Sequence, residues 1–552
     1  MAHILNVPLE VVLQITSYLT TPEYGYLRRT CKQLEALLFG AFTKEFFSKR
    51  QFALVEFSIQ ALVDIAKSRL GPSLTHLIIH LEHPHNTVIN SSSVEKAVQH
   101  NQYKAECVNH LEFISSGLDV DMLSDAIKHL PNLETIGMRD FHSLNRSRDG
   151  TLWHSHGCPT FVRKTQYRLA IPAPTIPYMG NYRGDRGSEY TSHVFLTILR
   201  AIGNAAVVGC NPKLTRIEVL LHTCQFPDQS FKIPDRFDDQ ISSVLSKLTT
   251  IFLDNLMEDE HQEPLFFVRD VGDKTEPARG VGYFLSRFLV KLSALEHLRL
   301  NFQSYKPRAV EHVLGWLADA KQDSTDPTAN PVDSIASANV RLPLVTPLDM
   351  ELTAPYAKAS DSLPVYFPPA PYFPKLRALE IGMAVVQESQ ILAVFERYKS
   401  TLRRVGFHKT TLSCPVATKF NPWARLCNKM AKADLKLEML GLSYVKQTSG
   451  GTPTRNGEVT FRGSRNKYVK IWRGSTFSRS IKDMIEDMES RWDDISDNAD
   501  DDGLSTLLGS VAMFLLLLTT EAESMDDDED DDDDDDDDDL DDDDDDDDNI
   551  VI

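Results

Sequence analysis

One short pattern recurs along most of the chain: a leucine, two variable residues, an aliphatic residue, one variable residue and a further apolar residue. Its eight copies are Leu74/Leu77/Ile79, Leu133/Ile136/Met138, Leu214/Ile217/Val219, Leu248/Ile251/Leu253, Leu295/Leu298/Leu300, Leu376/Leu379/Ile381, Leu402/Val405/Phe407 and Leu437/Leu440/Leu442. The last two positions of each copy alternate with the period of two that a short β-strand requires. Helical patterns directly precede four of the copies, at residues 122–130, 241–245, 281–292 and 391–398. A repeated helix–strand unit predicts a parallel sheet with helices on its outer side.

This repetition resembles a leucine-rich-repeat solenoid, in which neighbouring units share one core. The copies stand at irregular distances, usually longer than the roughly 20–29 residues of a regular repeat, and long insertions interrupt them. We therefore predict an α/β fold in which a degenerate leucine-rich-repeat-like αβ array forms the main part of the chain. The alternative is a mixed α/β domain with leucine-rich strands and no true repeat.

Two of the insertions differ in composition from the strands around them. Residues 139–189 are rich in arginine, histidine, glycine and aromatic side chains, and residues 307–374 are rich in proline and alanine. Long loops on a rigid scaffold tend to carry binding residues. We therefore predict that these insertions contact a protein target, whose identity the sequence does not reveal.

Apolar residues among the first forty positions recur at helical spacing. Pro8 suits the first turn of a helix because its missing N–H has no intrahelical partner there. Thr21 as an N-cap, followed by Pro22 at the first helical position, predicts the start of a second helix. The resulting stripes are Val12/Ile15/Leu19 and Tyr24/Leu27/Cys31/Leu34/Leu38. They hold too few apolar residues for an independent core, so we expect two or three short helices that bury their stripes against the body or another protein.

These same residues resemble the F-box: Pro8-Leu9-Glu10-Val11-Val12, Ile15, Tyr18-Leu19, the run from Leu27 to Leu34, and Leu37-Leu38. In that family the motif is a small helical unit that binds the adaptor subunit of the SCF (cullin–RING) ubiquitin ligase. The resemblance implies that this adaptor, and through it a cullin, is a partner. The residues that it implies at the adaptor interface are Pro8, Leu9, Val12, Ile15, Leu19, Leu27, Cys31 and Leu34. In the family an aromatic residue is usual where Leu34 stands, and an aliphatic residue is common where Tyr24 stands.

The resemblance covers about the first forty residues, and residues 49–70 are also similar to the F-box proteins of filamentous fungi. It implies a substrate-recognition subunit that is not itself an enzyme, because the ligase supplies the catalysis. Three alternatives stay open: ordinary N-terminal helices packed on the body, a scaffold that binds the adaptor without a ligase role, and a chaperone-like binder of basic proteins that acts through an acidic tail.

The acidic tail accounts for the net charge of the chain. From Asp526 to Asp548 every residue except Leu540 is acidic, and these 22 side chains equal the whole formal net charge of −22. The rest of the chain is therefore neutral, which predicts neither a nucleic-acid partner nor an anionic membrane surface. Self-repulsion should keep the tail extended, solvated and disordered.

Cysteine usage and hydropathy indicate the compartment. Seven scattered cysteines without a C-x-x-C pair favour free thiols in a reducing compartment, cytoplasmic, nuclear or both. The N-terminal residues lack the pattern of a secretory signal. The apolar run at 504–520 is shorter than the roughly 20 residues that a spanning helix needs and is interrupted by serine and threonine. We interpret it as a buried or docked helix and expect no membrane partner.

Side chains with catalytic or metal-binding potential form no recognisable motif. His154, His156 and Cys158 offer three metal ligands at alternate positions, but no fourth ligand for a closed zinc site lies nearby in the sequence. No glycine-rich phosphate loop, G-x-S-x-G elbow or H-E-x-x-H motif occurs. We therefore predict no catalytic residue, no metal and no cofactor.

The predicted organisation has five parts. Residues 1–48 form the F-box helices, 49–72 a linking helix, 73–446 the leucine-rich target-binding region, 447–495 a strand pair and a helix, and 496–552 the acidic tail. The strands of the fourth part are expected at 458–461 and 468–472, and its helix at 481–492.

Overall fold

The computed structural model describes residue 4 and residues 7–85, 97–143, 154–172, 186–209, 213–257, 282–302, 307–319, 370–414, 421–433, 435–450, 455–474 and 477–492. Within these ranges the helices are α1 (Leu9–Ser17), α2 (Thr21–Thr30), α3 (Lys32–Phe47), α4 (Glu56–Lys67), α5 (Ala97–Ser115), α6 (Leu118–Lys128), α7 (Cys158–Thr165), α8 (Arg186–Val207), α9 (Asp235–Leu245), α10 (Tyr283–Leu289), α11 (Pro307–Ala318), α12 (Glu388–Arg397), α13 (Pro422–Lys432) and α14 (Phe477–Glu486). The strands are β1 (Lys49–Ala53), β2 (His76–His80), β3 (Thr135–Arg139), β4 (Arg216–Leu220), β5 (Phe226–Pro227), β6 (Thr250–Leu253), β7 (Leu256–Met257), β8 (His297–Asn301), β9 (Ala378–Gly382), β10 (Val385–Gln387), β11 (Arg404–His408), β12 (Thr411–Cys414), β13 (Met439–Ser443), β14 (Lys446–Ser449), β15 (Arg455–Phe461), β16 (Val469–Arg473) and β17 (Met488–Trp492).

Nine parallel strands form most of the largest sheet, and they lie side by side in the order in which the chain visits them. The order is β1-β2-β3-β4-β6-β8-β9-β11-β13, and β16 closes the far edge antiparallel to β13. Each connection therefore advances by one strand, which brings successive helices next to one another. Helix α4 contacts α6, α6 contacts α8, and α8 contacts α9. The predicted α/β class with a large parallel sheet is confirmed.

All eight leucine patterns lie in this one sheet and in the same register. Their second positions pair from strand to strand between Leu77 and Leu440, and their third positions pair between Ile79 and Leu442. The leading leucine of each pattern, just before its strand, is no more than 5% exposed. Three apolar rows thus cross the sheet within one core. Because burying one such side chain contributes about 1.5–3 kcal/mol, these rows are a main source of cohesion between the units.

A tight corner follows four of the strands. Asn255, Met383, Lys409 and Tyr444 each stand just beyond a strand of the large sheet and have φ angles between 48° and 57°. After each corner the chain enters a short second strand, which is β7, β10, β12 or β14. Strands β10, β12 and β14 pair in parallel as a second sheet, which β15 and β17 extend in antiparallel fashion. The short strands β5 and β7 form a separate pair.

The C-terminal strands differ from the prediction in their partners. Both expected strands are present, but β15 pairs with β14 and β17, whereas β16 pairs with β13 in the other sheet. The helix expected at 481–492 ends at Glu486, and β17 follows it because the free edge of β15 offers hydrogen-bonding partners for an extended chain. Both sheets therefore end in antiparallel strands.

Two other predicted segments contain additional elements. Residues 49–72, expected to be a linking helix, hold strand β1 before helix α4. The insertion at 307–374 begins with helix α11, whose buried residues include Val313 and Leu317. Residues 320–369 lie outside the described residues, as do the apolar run at 504–520 and the predicted tail at 496–552. Along the ranges that the structure describes, no helix has the length and apolarity to cross a membrane.

Candidate docking surface on the N-terminal helices

Local signals in the sequence set the ends of the three N-terminal helices. Pro8 precedes α1 as its N-cap residue. The carboxylate of Glu23 accepts a hydrogen bond from the backbone N–H of Thr20 at 2.9 Å, so the second helix is capped one residue earlier than Thr21, the predicted cap. Cys31 separates α2 from α3, and its Sγ atom accepts a hydrogen bond from the backbone N–H of Leu34 at 3.5 Å. These caps mark the ends of three helices, α1 to α3, which together form a three-helix unit over residues 9–47.

The three-helix unit has an apolar interior of its own. Val12, Tyr24 and Leu38, one from each helix, are fully buried and form one cluster. The Tyr24 ring packs edge-on against Phe42, with ring centroids 5.8 Å apart. The Arg28 guanidinium lies 3.3 Å from the Phe42 ring centroid and adds a cation–π contact. The interior is therefore filled by residues of this chain alone.

Helix α1 also carries an apolar face that the rest of the described chain leaves uncovered. Val11, Ile15 and Tyr18 are 43%, 43% and 82% exposed. Their spacing of four and three residues puts them on one side of the helix, away from Val12 and the buried Thr16. Water therefore contacts a row of three large apolar side chains, two on α1 and one at its C-cap, which we call the α1 face.

The structure divides the eight residues predicted at the adaptor interface into three groups. Pro8, Leu9, Ile15 and Cys31 are exposed, Leu19 and Leu27 are half-buried, and Val12 and Leu34 are buried. The last two stabilise the helices and do not lie on a surface. Val11 and Tyr18 were not among the predicted contacts, although their spacing around Ile15 was a usable signal.

The unit is joined to the body by short, polar connections. Ser48 alone separates α3 from β1, and its carbonyl accepts hydrogen bonds from the backbone N–H groups of Thr75 and His76, each at 2.9 Å. The carboxylate of Glu35 accepts a hydrogen bond from Arg69 at 3.2 Å, and this contact helps lower the pKa of Glu35. These contacts tie the helices to the first strands of the sheet and leave the α1 face free.

On the large sheet, the side opposite the leucine rows carries paired charged side chains on neighbouring strands. Arg216 and Glu218 on β4 form an ion pair at 2.6 Å, and His297 on β8 lies 2.7 Å from Glu380 on β9. Because neighbouring residues on a strand point to opposite faces, these charges alternate with the buried leucines. Their mutual pairing distinguishes this side of the sheet from the uncovered apolar α1 face.

Histidines and a cysteine singled out as potential metal ligands do not meet at one point. Cys158 is buried at the start of α7, whereas His154 is exposed. The Nδ1 atom of His156 lies 3.5 Å from the Arg50 guanidinium, a position unsuited to a ligand of a cation. Their closeness in sequence therefore does not become a shared site.

Comparison with family models found no match for this chain. Comparison with curated proteins found no match either.

Proposed function

We propose that the chain is a substrate-recognition subunit of an SCF-type cullin–RING ubiquitin ligase. Its N-terminal helices bind the adaptor subunit, and its larger part holds a protein target. The observation that carries the proposal is the α1 face, an uncovered apolar row on a unit whose interior is already filled. Aligned apolar side chains exposed on a helix are typical of protein–protein interfaces. The resemblance of these helices to the F-box identifies the expected partner.

The body is proposed to be a degenerate leucine-rich-repeat-like solenoid that presents the target. Three features support this interpretation: the strands follow chain order, the apolar rows pair in one register, and a positive-φ corner recurs after four strands. A doubly wound sheet would instead reverse its strand order near the middle. Insertions between units account for the irregular length of the repeats.

The junction between the N-terminal helices and the sheet is short and rigid. One residue separates α3 from β1, and the Glu35–Arg69 contact spans the junction. The α1 face, which binds the adaptor, and the solenoid, which binds the target, therefore keep a fixed separation. A ligase subunit that holds its target in this way raises the effective concentration of target lysines near the ubiquitin-carrying enzyme. The chain itself needs no nucleophile or cofactor for that role.

Reconstitution from purified components tests the proposal. The full chain should form a complex with the ligase adaptor subunit and, through it, with a cullin. Recovery of the adaptor without the cullin would favour the scaffold alternative, and failure to bind the adaptor would contradict the proposal. A chain that lacks residues 526–548 should assemble equally well, whereas loss of function on that deletion would favour the chaperone-like alternative.

A further inference from the structure

Three potential metal ligands meet at the carboxyl ends of two neighbouring parallel strands. His80 is the last residue of β2, Glu82 follows it by two residues, and His142 follows the end of β3 by three. Since the carboxyl ends of parallel strands lie at the same edge of a sheet, residues 60 positions apart in sequence become neighbours. This His–Glu–His cluster is distinct from the three ligands that the sequence pattern suggested.

The distances within the His–Glu–His cluster suit a metal ion. The Nδ1 atom of His80 lies 3.5 Å from Oε1 of Glu82, and Nε2 of His142 lies 3.7 Å from Oε2 of the same carboxylate. All three donor atoms lie within 4.8 Å of one another. A tetrahedral zinc ion with bonds of about 2.0–2.2 Å separates two ligand atoms by roughly 3.3–3.6 Å. The His80 and His142 rings are stacked, with centroids 4.4 Å apart, and the Nδ1 atom of His80 accepts a hydrogen bond from the backbone N–H of Glu82 at 3.2 Å. Coordination therefore requires one imidazole to rotate until both ring nitrogens face one point.

His80 and Glu82 are buried and His142 is half-buried, and no lysine or arginine among the described residues forms an ion pair with the Glu82 carboxylate. His80 is fully buried, Glu82 is 5% exposed, and among the described residues His80 and His142 are the ion-pair partners of Glu82. The Nε2 atom of His80 makes no hydrogen bond of normal geometry with the described residues. The Glu82 carboxylate accepts hydrogen bonds from the Cys158 thiol at 3.3 Å and from Ser155. A bound cation would add the opposite charge that a buried carboxylate favours.

A second layer of polar contacts orients His142. Its Nδ1 atom lies 3.1 Å from the Gln51 amide, which also donates to the Ser155 hydroxyl at 3.0 Å. This contact occupies Nδ1 and leaves Nε2 directed at Glu82. Gln51 is buried, and its Oε1 atom has no hydrogen-bond partner among the described residues. Exchanging the amide O and N atoms would let Oε1 accept from Nδ1–H, which is the tautomer that metal binding through Nε2 requires.

We infer that His80, Glu82 and His142 bind a divalent transition-metal ion of the zinc class. Two imidazole nitrogens and one carboxylate suit zinc and its first-row neighbours, whereas magnesium and calcium prefer sites made of oxygen ligands. The ion links the segments that follow β2 and β3 and so stabilises the first units of the sheet. The Cys158 thiol, 3.3 Å from Oε1 of Glu82, borders the same space.

Titration of the chelator-treated full chain with zinc chloride tests the inference. Excess magnesium in the buffer occupies the carboxylates of the acidic tail, so the signal reports the nitrogen-containing site. The wild type should bind one equivalent of zinc. His142→Ala should weaken binding by roughly 100-fold or more, and Gln51→Ala by roughly 10–100-fold, as expected for a ligand and for an outer partner. His129→Ala, an exposed histidine on another element, is the matched control and should bind as the wild type does.

The Tm shift on addition of zinc tests the inference also in variants whose folding is impaired. Zinc should raise the Tm of the wild type and of His129→Ala, because a ligand that binds only the folded state stabilises it. Glu82→Gln, which keeps the side-chain shape, should show no such rise. The inference is overturned if the wild type binds no zinc under these conditions, or if His142→Ala and Glu82→Gln bind it with wild-type affinity.

Discussion

Val12 and Ile15 lie one turn apart on α1, yet Val12 is fully buried while Ile15 is 43% exposed. The boundary between the interior of the N-terminal unit and the α1 face runs between them. On one side, Val12 packs in the cluster with Tyr24 and Leu38. On the other, Ile15 stands between Val11 and Tyr18 in contact with water. The two residues therefore mark where the buried side of a single helix gives way to its exposed apolar side.

Truncating these two side chains should affect stability differently. Val12→Ala removes buried methyl groups and should lower the free energy of unfolding of the N-terminal unit by roughly 1–3 kcal/mol. Ile15→Ala removes a side chain that is already hydrated and should change it by less than about 0.5 kcal/mol. Hydrogen exchange of the α1 amides, monitored through urea denaturation, measures the free energy of unfolding of both variants. Equal losses for the two variants would mean that Ile15 belongs to the interior.

A glycine at one of the repeated corners should stabilise the chain. Lys409 is exposed and has a φ of 48°, a left-handed conformation that costs a non-glycine residue roughly 1–2 kcal/mol. Lys409→Gly relieves that strain but loses roughly 0.4–1 kcal/mol through the greater freedom of the unfolded chain. The net gain should be about 0.5–1 kcal/mol, measured by thermal denaturation.

The control for this substitution is Arg404→Gly, at an exposed position of β11 with ordinary strand geometry. It should destabilise the chain because glycine loses more conformational freedom on folding than a residue with a side chain. If Lys409→Gly is also destabilising, the corner is not strained.

The carboxylate of Asp228 should make stability depend on pH. It accepts hydrogen bonds from the backbone N–H groups of Phe284 and Leu285 at the start of α10, at 3.1 and 2.9 Å. Burial raises its pKa from 3.8 to about 6. Between these two values the folded state binds more protons than the unfolded state, so this residue's contribution to stability falls as pH rises through that window.

Asp228→Asn removes the titration while keeping an acceptor oxygen. The stability of the wild type relative to this variant should therefore be greater at pH 4.5 than at pH 7.5, as measured from melting curves of both proteins. Asp235→Asn, at an exposed position, provides the comparison that should show no such change. A wild-type advantage that grows with pH would contradict the account.

Much of the sheet was predictable from the sequence, because the buried apolar residues of a short strand recur at every second position. The leucine pattern located β2 and the seven parallel strands that follow it in the large sheet. It did not indicate β1, whose residues Lys49, Arg50 and Gln51 are polar and which pairs along one edge only. Strand β17 was also missed, because Met488 and Trp492 repeat at helical spacing while the pairing of this strand depends on a distant partner, β15.

The surface and the metal cluster were harder to predict, for two different reasons. Helical periodicity identifies residues that share a side of a helix, but it does not say whether α3 or another protein covers that side. Val12 and Leu34 were therefore assigned to an interface although both are buried. The cluster of His80 and His142 depends on which strands are neighbours, so closeness in sequence favoured His154 and its neighbours instead.

The central claim is that the α1 face binds the ligase adaptor, and one binding measurement tests it most directly. The purified adaptor subunit is titrated against the full chain, against Ile15→Asp and against Val208→Asp, which places the same charge at another exposed apolar position, 64% exposed and distant in sequence. Burying an unpaired carboxylate in an interface costs several kcal/mol, so Ile15→Asp should abolish measurable binding while its melting curve stays close to that of the wild type. Val208→Asp should bind as the wild type does. Wild-type affinity in Ile15→Asp would contradict the account.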